Sequence, residues 1–133
     1  MLKGKKGFTL LELLIVLVVI GVIAGLMFPV LAIQVEKHRA QEALTALGTV
    51  KEAMVKYNQT DGGNSYAAAS FATIGFDPNA VAAGQTPIFT YTLSNLAVGT
   101  FTCTAQRLPV ATNAGNTVTI DENGTVTRNG VYQ

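Results

Sequence analysis

The sequence predicts an α+β fold: a long N-terminal helix whose C-terminal half packs on a small antiparallel β-sheet. Three observations point to it. Residues 13–33 form an uncharged, mostly apolar run of 21. Apolar residues then recur at spacings of three and four, at Ala40, Ala43, Leu44, Leu47, Val50, Met54 and Tyr57, the mark of an amphipathic helix. The last third alternates apolar and polar residues with period two, the mark of half-buried strands.

The uncharged run accounts for much of the unusual composition of the 133-residue chain, 49% apolar and 13% charged. It is long enough to cross a bilayer as a helix. Lys3, Lys5 and Lys6 precede it, which argues for a cytoplasmic N-terminus; Lys37 and Arg39 on the far side, offset by Glu36, are a weaker competing signal. A cleaved secretory signal fits less well, because the apolar core is too long and no A-x-A site follows directly. Net charge is +1, with 9 basic and 8 acidic residues, so nothing in the balance suggests nucleic acid as a partner. One residue is out of place. Glu12 stands at the start of the run, where a carboxylate is expensive in lipid and therefore a functional candidate.

Gly21, Gly25 and Pro29 interrupt the run. A proline removes one helical hydrogen bond and tends to kink the helix, and Gly21 and Gly25 form a G-x-x-x-G. These three are expected to make a segment that bends or partly unwinds. The helix is expected over residues 8–58, about 75 Å long. It ends at Thr60-Asp61-Gly62-Gly63-Asn64, where glycines and turn formers gather.

Residues 65–87 are rich in Ala, Gly and turn formers. Residues 66–73 have room for a short helix, and Asp77-Pro78-Asn79 reads as a turn. Strands follow. Phe89, Tyr91 and Leu93 alternate with Thr90, Thr92 and Ser94; Phe101, Cys103 and Ala105 alternate with Thr102 and Thr104. The short gap at residues 95–99 predicts an antiparallel hairpin, with Pro109 ending its second strand and residues 111–116 forming a loop. In the last segment, a three-residue loop at Glu122-Asn123-Gly124, with Gly124 left-handed, pairs Ile120 with Val126 and keeps one face apolar. A two-residue turn would put those side chains on opposite faces. The head of about 70 residues is marginal for an independent core, so the helix stripe must complete it. The expected divisions are residues 1–7, 8–33, 34–60 and 61–133.

Enzymatic constellations are missing, so no catalytic residue, metal site or cofactor is assigned. His38, the single histidine, reads as a solvated or headgroup-level residue. Asp121 and Glu122 read as surface acids beside a turn. Cys103, the single cysteine, reads as a buried thiol, without Cys or His neighbours at metal spacing.

The N-terminal pattern resembles a known family. A short basic leader, then Gly7, Phe8, Thr9, Leu10, Leu11 and Glu12, then an apolar run with Gly21 and Pro29, is similar to the class III signal of type IV pilins and type II secretion pseudopilins. The resemblance covers roughly residues 1–58. It implies the pilin fold, cleavage by a prepilin peptidase between Gly7 and Phe8, and N-methylation of the new Phe8 amine. It implies a single-pass inner-membrane precursor in a bacterium, an inner-membrane assembly platform as partner, and a homo-oligomeric helical filament outside that membrane, extracellular or periplasmic, with adhesion, motility or secretion among the roles of such fibres. Within such a filament, Glu12 of one chain would meet the Phe8 amine of another and set the register of packing. The alternative is a minor pilin or pseudopilin of a secretion or DNA-uptake machine. The chain lacks the C-terminal cysteine pair of many major pilins and the calcium loop of the major secretion pseudopilin, while its Glu12 argues against the tip-capping pseudopilin.

Overall fold

The uncharged run and the amphipathic stripe belong to one helix, α1 (Leu10–Thr60). The structure is a computed structural model that describes residues 7–133 apart from Gly62. The basic cluster Lys3, Lys5 and Lys6, and Gly62 of the helix-ending segment, lie outside the described residues. The chain divides after Val35 into two units.

In the first unit, Gly7, Phe8 and Thr9 are non-helical and α1 starts at Leu10. The helix passes through Gly21, Gly25 and Pro29 unbroken. A proline costs the ladder one bond, and the turns on either side keep theirs.

The second unit holds the rest of α1 and a four-stranded antiparallel sheet in the order β1-β2-β3-β4: β1 (Phe89–Ala97), β2 (Thr100–Arg107), β3 (Thr117–Asp121) and β4 (Val126–Arg128). Pairing sets Leu93 opposite Cys103, Cys103 opposite Ile120 and Ile120 opposite Val126. One face of the sheet is therefore apolar. The helix stripe Ala40, Ala43, Leu47, Val50, Met54 and Tyr57 buries against Phe101, Cys103, Ala105, Val118 and Ile120. Each large side chain so buried contributes on the order of 1.5–3 kcal/mol. Tyr66 closes the far edge, its ring edge-on to Phe101 at 5.0 Å. The opposite face carries a row of threonines across all four strands, Thr92, Thr104, Thr119 and Thr127, a cross-strand pairing that suits a solvated β-surface.

The terminal hairpin has the expected register and a left-handed Gly124, φ 85°. Three expectations need correction. Residues 66–73 form turns instead of a helix, because Ser70 and Thr73 bond each other: the Ser70 amide donates to Thr73 Oγ1 at 2.8 Å and the Thr73 amide to Ser70 Oγ at 3.2 Å. Such local side-chain bonds compete with helical ones. The first hairpin is tighter than expected. β1 continues through Ala97, paired with Thr100, with a register shift between Ser94 and Ala97 that is absorbed by Asn95 at φ 53°. The loop after Pro109 contains a one-turn helix, α2 (Val110–Asn113), whose Asn113 side chain donates back to the Pro109 carbonyl at 3.1 Å.

Candidate functional site

The N-terminal segment is built from the backbone outward. Four amides at a helix start lack helical partners. Here Thr9 and Glu12 supply two acceptors. The Glu12 amide donates to Thr9 Oγ1 at 3.2 Å, and the Thr9 amide donates to Glu12 Oε2 at 3.5 Å. This is a reciprocal capping box. The T-x-x-E spacing that announces it stands in the sequence at Thr9 and Glu12. Glu12 thus has a task within its own chain, holding the first turn of α1 closed while its carboxylate stays exposed.

Gly7 and Phe8, just before the cap, are both exposed, Phe8 at 76%. Exposed and outside the helix, this pair leaves its backbone accessible to another molecule. Beyond the cap, the large apolar side chains of residues 10–35 range from 47% exposed at Val16 to 91% at Leu10. Gly21 and Gly25 face open space, with nothing within 4 Å of where a Cβ would stand. This helix is apolar around its circumference, which is the character of a segment covered by lipid or by other helices.

A second cluster, in the second unit, was not legible beforehand. Glu36 accepts from Arg107 through two bonds, Nε to Oε2 at 3.1 Å and a guanidinium NH2 to Oε1 at 3.2 Å. It also accepts from Arg39, one turn on, and from the Tyr132 hydroxyl at 3.4 Å. Arg107 in turn donates to the Ile88 carbonyl at 3.2 Å and to that of Leu108, with its guanidinium 6.0 Å from the Phe89 ring centre. The Arg107 bonds hold the Glu36 carboxyl below its ordinary range, and Glu36 raises Arg107 reciprocally. Burial, then the Glu36 charge, pushes Tyr132 up to about 12. The fork ties α1, the end of β2 and the C-terminus together. Partners 71 and 96 residues apart leave no local signature.

His38 is exposed. Asp121 organises the terminal turn, accepting from the Thr125 amide at 2.7 Å and the Asn123 amide at 3.0 Å; these bonds, Thr125 foremost, lower its pKa. Cys103 is fully buried, and burial pushes its thiol up to about 12. Among the described residues, no three His, Cys, Asp or Glu side chains gather to hold a metal ion.

Comparison with known proteins addresses both parts of the chain. The family described as the prokaryotic N-terminal methylation motif matches residues 2–28. The fimbrial protein EcpC of Eikenella corrodens is 34% identical over 101 residues, which cover 71% of this chain. The chain spans 66% of that relative's length, just under two thirds. The crystal structure of the non-core minor pilin PilV of Neisseria meningitidis is similar in fold, with a TM-score of 0.56 over 75% of this chain and 92% of that one, at 22% identity. The motif match falls on the capped, exposed start of α1, and the fold match extends the likeness to the helix-on-sheet unit behind it. Motif, relative and fold therefore agree: the chain carries the N-terminal methylation motif, is similar to a fimbrial protein and has the pilin fold.

Proposed function

We propose that this protein is a structural subunit of a type IV pilus-like filament, held in the inner membrane before assembly and polymerised through its N-terminal helix. The observation that carries the reading is the uncovered apolar length of α1 over residues 10–35. Burying that surface is the main driving force available to the chain, and lipid and a bundle of like helices both satisfy it. On this reading the chain has four parts: a leader at residues 1–7, a membrane and filament-core segment at 8–33, an amphipathic half-helix at 34–60 and a head at 61–133.

A prepilin peptidase cuts between Gly7 and Phe8, and the freed Phe8 amine is methylated. Glu12 then has a charged partner to meet on a neighbouring subunit. Breaking a buried pair by removing one member costs on the order of 3–5 kcal/mol, enough to reject wrong registers while apolar burial supplies the cohesion. Gly21, Gly25 and Pro29 mark where α1 yields as subunits pack. An inner-membrane assembly platform supplies the subunits. No catalytic role, cofactor, metal or nucleic-acid contact is assigned.

The test is the protein content of filaments sheared from cells. A main subunit dominates them; a chain found there at trace level takes the minor-pilin or pseudopilin role instead; a chain absent from them is not a filament subunit.

A further inference from the structure

Lys37 stands on one side of a cleft of about 200 Å3, whose other walls are Ala40, Gln41, Arg128 and Tyr132. Lys37 and Arg128 are both exposed, and neither forms an ion pair among the described residues. The adjacent carboxylate, Glu36, is already taken by Arg107, Arg39 and the Tyr132 hydroxyl. At this end of the second unit, four cations (Lys37, Arg39, Arg107 and Arg128) accompany two acids, Glu36 and Glu42. The rest of the unit has the reverse balance, with Lys51 and Lys56 against Glu52, Asp61, Asp77, Asp121 and Glu122. The positive end is therefore a local feature. Two unpaired cations lining one small cleft, together with Gln41, complement one oxyanion: a lysine as a compact charge and an arginine as a planar fork.

Position selects the source of that anion. Lys37 follows Ile33, the last residue of the apolar run before Gln34, by four positions. Four residues reach about 14 Å fully extended and about 6 Å as a helix. The headgroup region on each side of a bilayer is about 5–8 Å thick. When residues 13–33 lie in hydrocarbon, this spacing along the chain keeps Lys37 within reach of the headgroups, and Arg128 lines the same cleft as Lys37.

We propose that the cleft between Lys37 and Arg128 binds the phosphate of an anionic phospholipid while the chain is in the membrane. This rests on the reading of α1 as a membrane span. A zwitterionic lipid carries its own ammonium, which the same cations repel, so the cleft selects lipids whose headgroup is net negative. The bound lipid is a tie that has to be released when the chain leaves the bilayer.

The test uses the full chain reconstituted in phosphatidylcholine vesicles containing a trace of spin-labelled phosphatidylglycerol or spin-labelled phosphatidylcholine. The fraction of each label immobilised by the protein is then compared. The expected result is a preference for phosphatidylglycerol, on the order of fivefold for each cation. It falls toward parity in Lys37→Ala/Arg128→Ala, stays in Lys51→Ala/Lys56→Ala, and persists when inorganic phosphate is added. Equal preference in the two double variants, no preference in the wild-type chain, or displacement of the labelled lipid by inorganic phosphate would overturn the proposal. Resistance to alkaline extraction is measured on the same vesicles. A chain that is extracted refutes the membrane span and the lipid cleft with it, whereas a chain that stays inserted without preference refutes the cleft alone.

Discussion

Glu12 caps α1 and is proposed to pair with a neighbour's Phe8 amine, and chemistry separates the two tasks. The capping box asks for an acceptor at the third helical position, and glutamine serves there nearly as well as glutamate. Pairing with a neighbour's amine asks for a negative charge. Glu12→Gln therefore keeps the helix start and removes the charge. We expect it to leave the helicity of the chain in detergent unchanged and to abolish or strongly reduce filament yield; normal yield and spacing would refute the pairing. Thr9→Ala is the reciprocal change, costing the helix start about 1 kcal/mol while filaments still form. Two other residues are diagnostic of the head. Gly130 has φ 69°, and a Cβ there would stand 2.7 Å from the Gly115 carbonyl oxygen. Gly130→Ala is expected to destabilise the head by roughly 2 kcal/mol or more, read as a lowered denaturation midpoint. Cys103, buried with its thiol near 12, should react with thiol reagents on the order of 100-fold more slowly in the folded chain than in the unfolded one. Labelling at equal rates would contradict its placement in the core.

Among the elements, those carried by one strong periodicity were legible. The stripe of α1 and the alternation of β2 each specify a face, and the loop at Glu122-Asn123-Gly124 had a single solution that kept Ile120 and Val126 together. What was missed lies where local side-chain bonds decide, as between Ser70 and Thr73, or where distant residues meet. The N-terminal motif announced its own importance, yet the capping role of Thr9 and Glu12 emerged from geometry. The Glu36–Arg107 fork could not be read at all, because nothing in the sequence places the end of β2 beside the helix. That fork makes a pH prediction. The folded Glu36 carboxyl lies below its ordinary value of 4.5. The stability it confers is therefore present above that value and is lost as pH falls through the lower folded one. Asp121, also lowered, acts in the same direction. Arg107→Ala is expected to cost roughly 1–3 kcal/mol at neutral pH and to flatten the acid decline. A variant as acid-sensitive as the parent would show that the fork does not contribute.

On the scale of the whole molecule, the chain has one part that satisfies itself and one that does not. Residues 36–133 bury their apolar stripe against their own sheet, while the apolar side chains of residues 10–35 remain open. The proposed function follows from this division: the helix stripe and the head complete one core, and on the proposed reading the N-terminal segment is covered first by lipid and then by copies of itself. The most direct measurement is intact-mass and N-terminal analysis of filaments sheared from cells that produce the protein. The account predicts this chain in the filament, beginning at Phe8 and carrying one N-terminal methyl group. Filaments without the chain, or with a chain that retains residues 1–7, would contradict it.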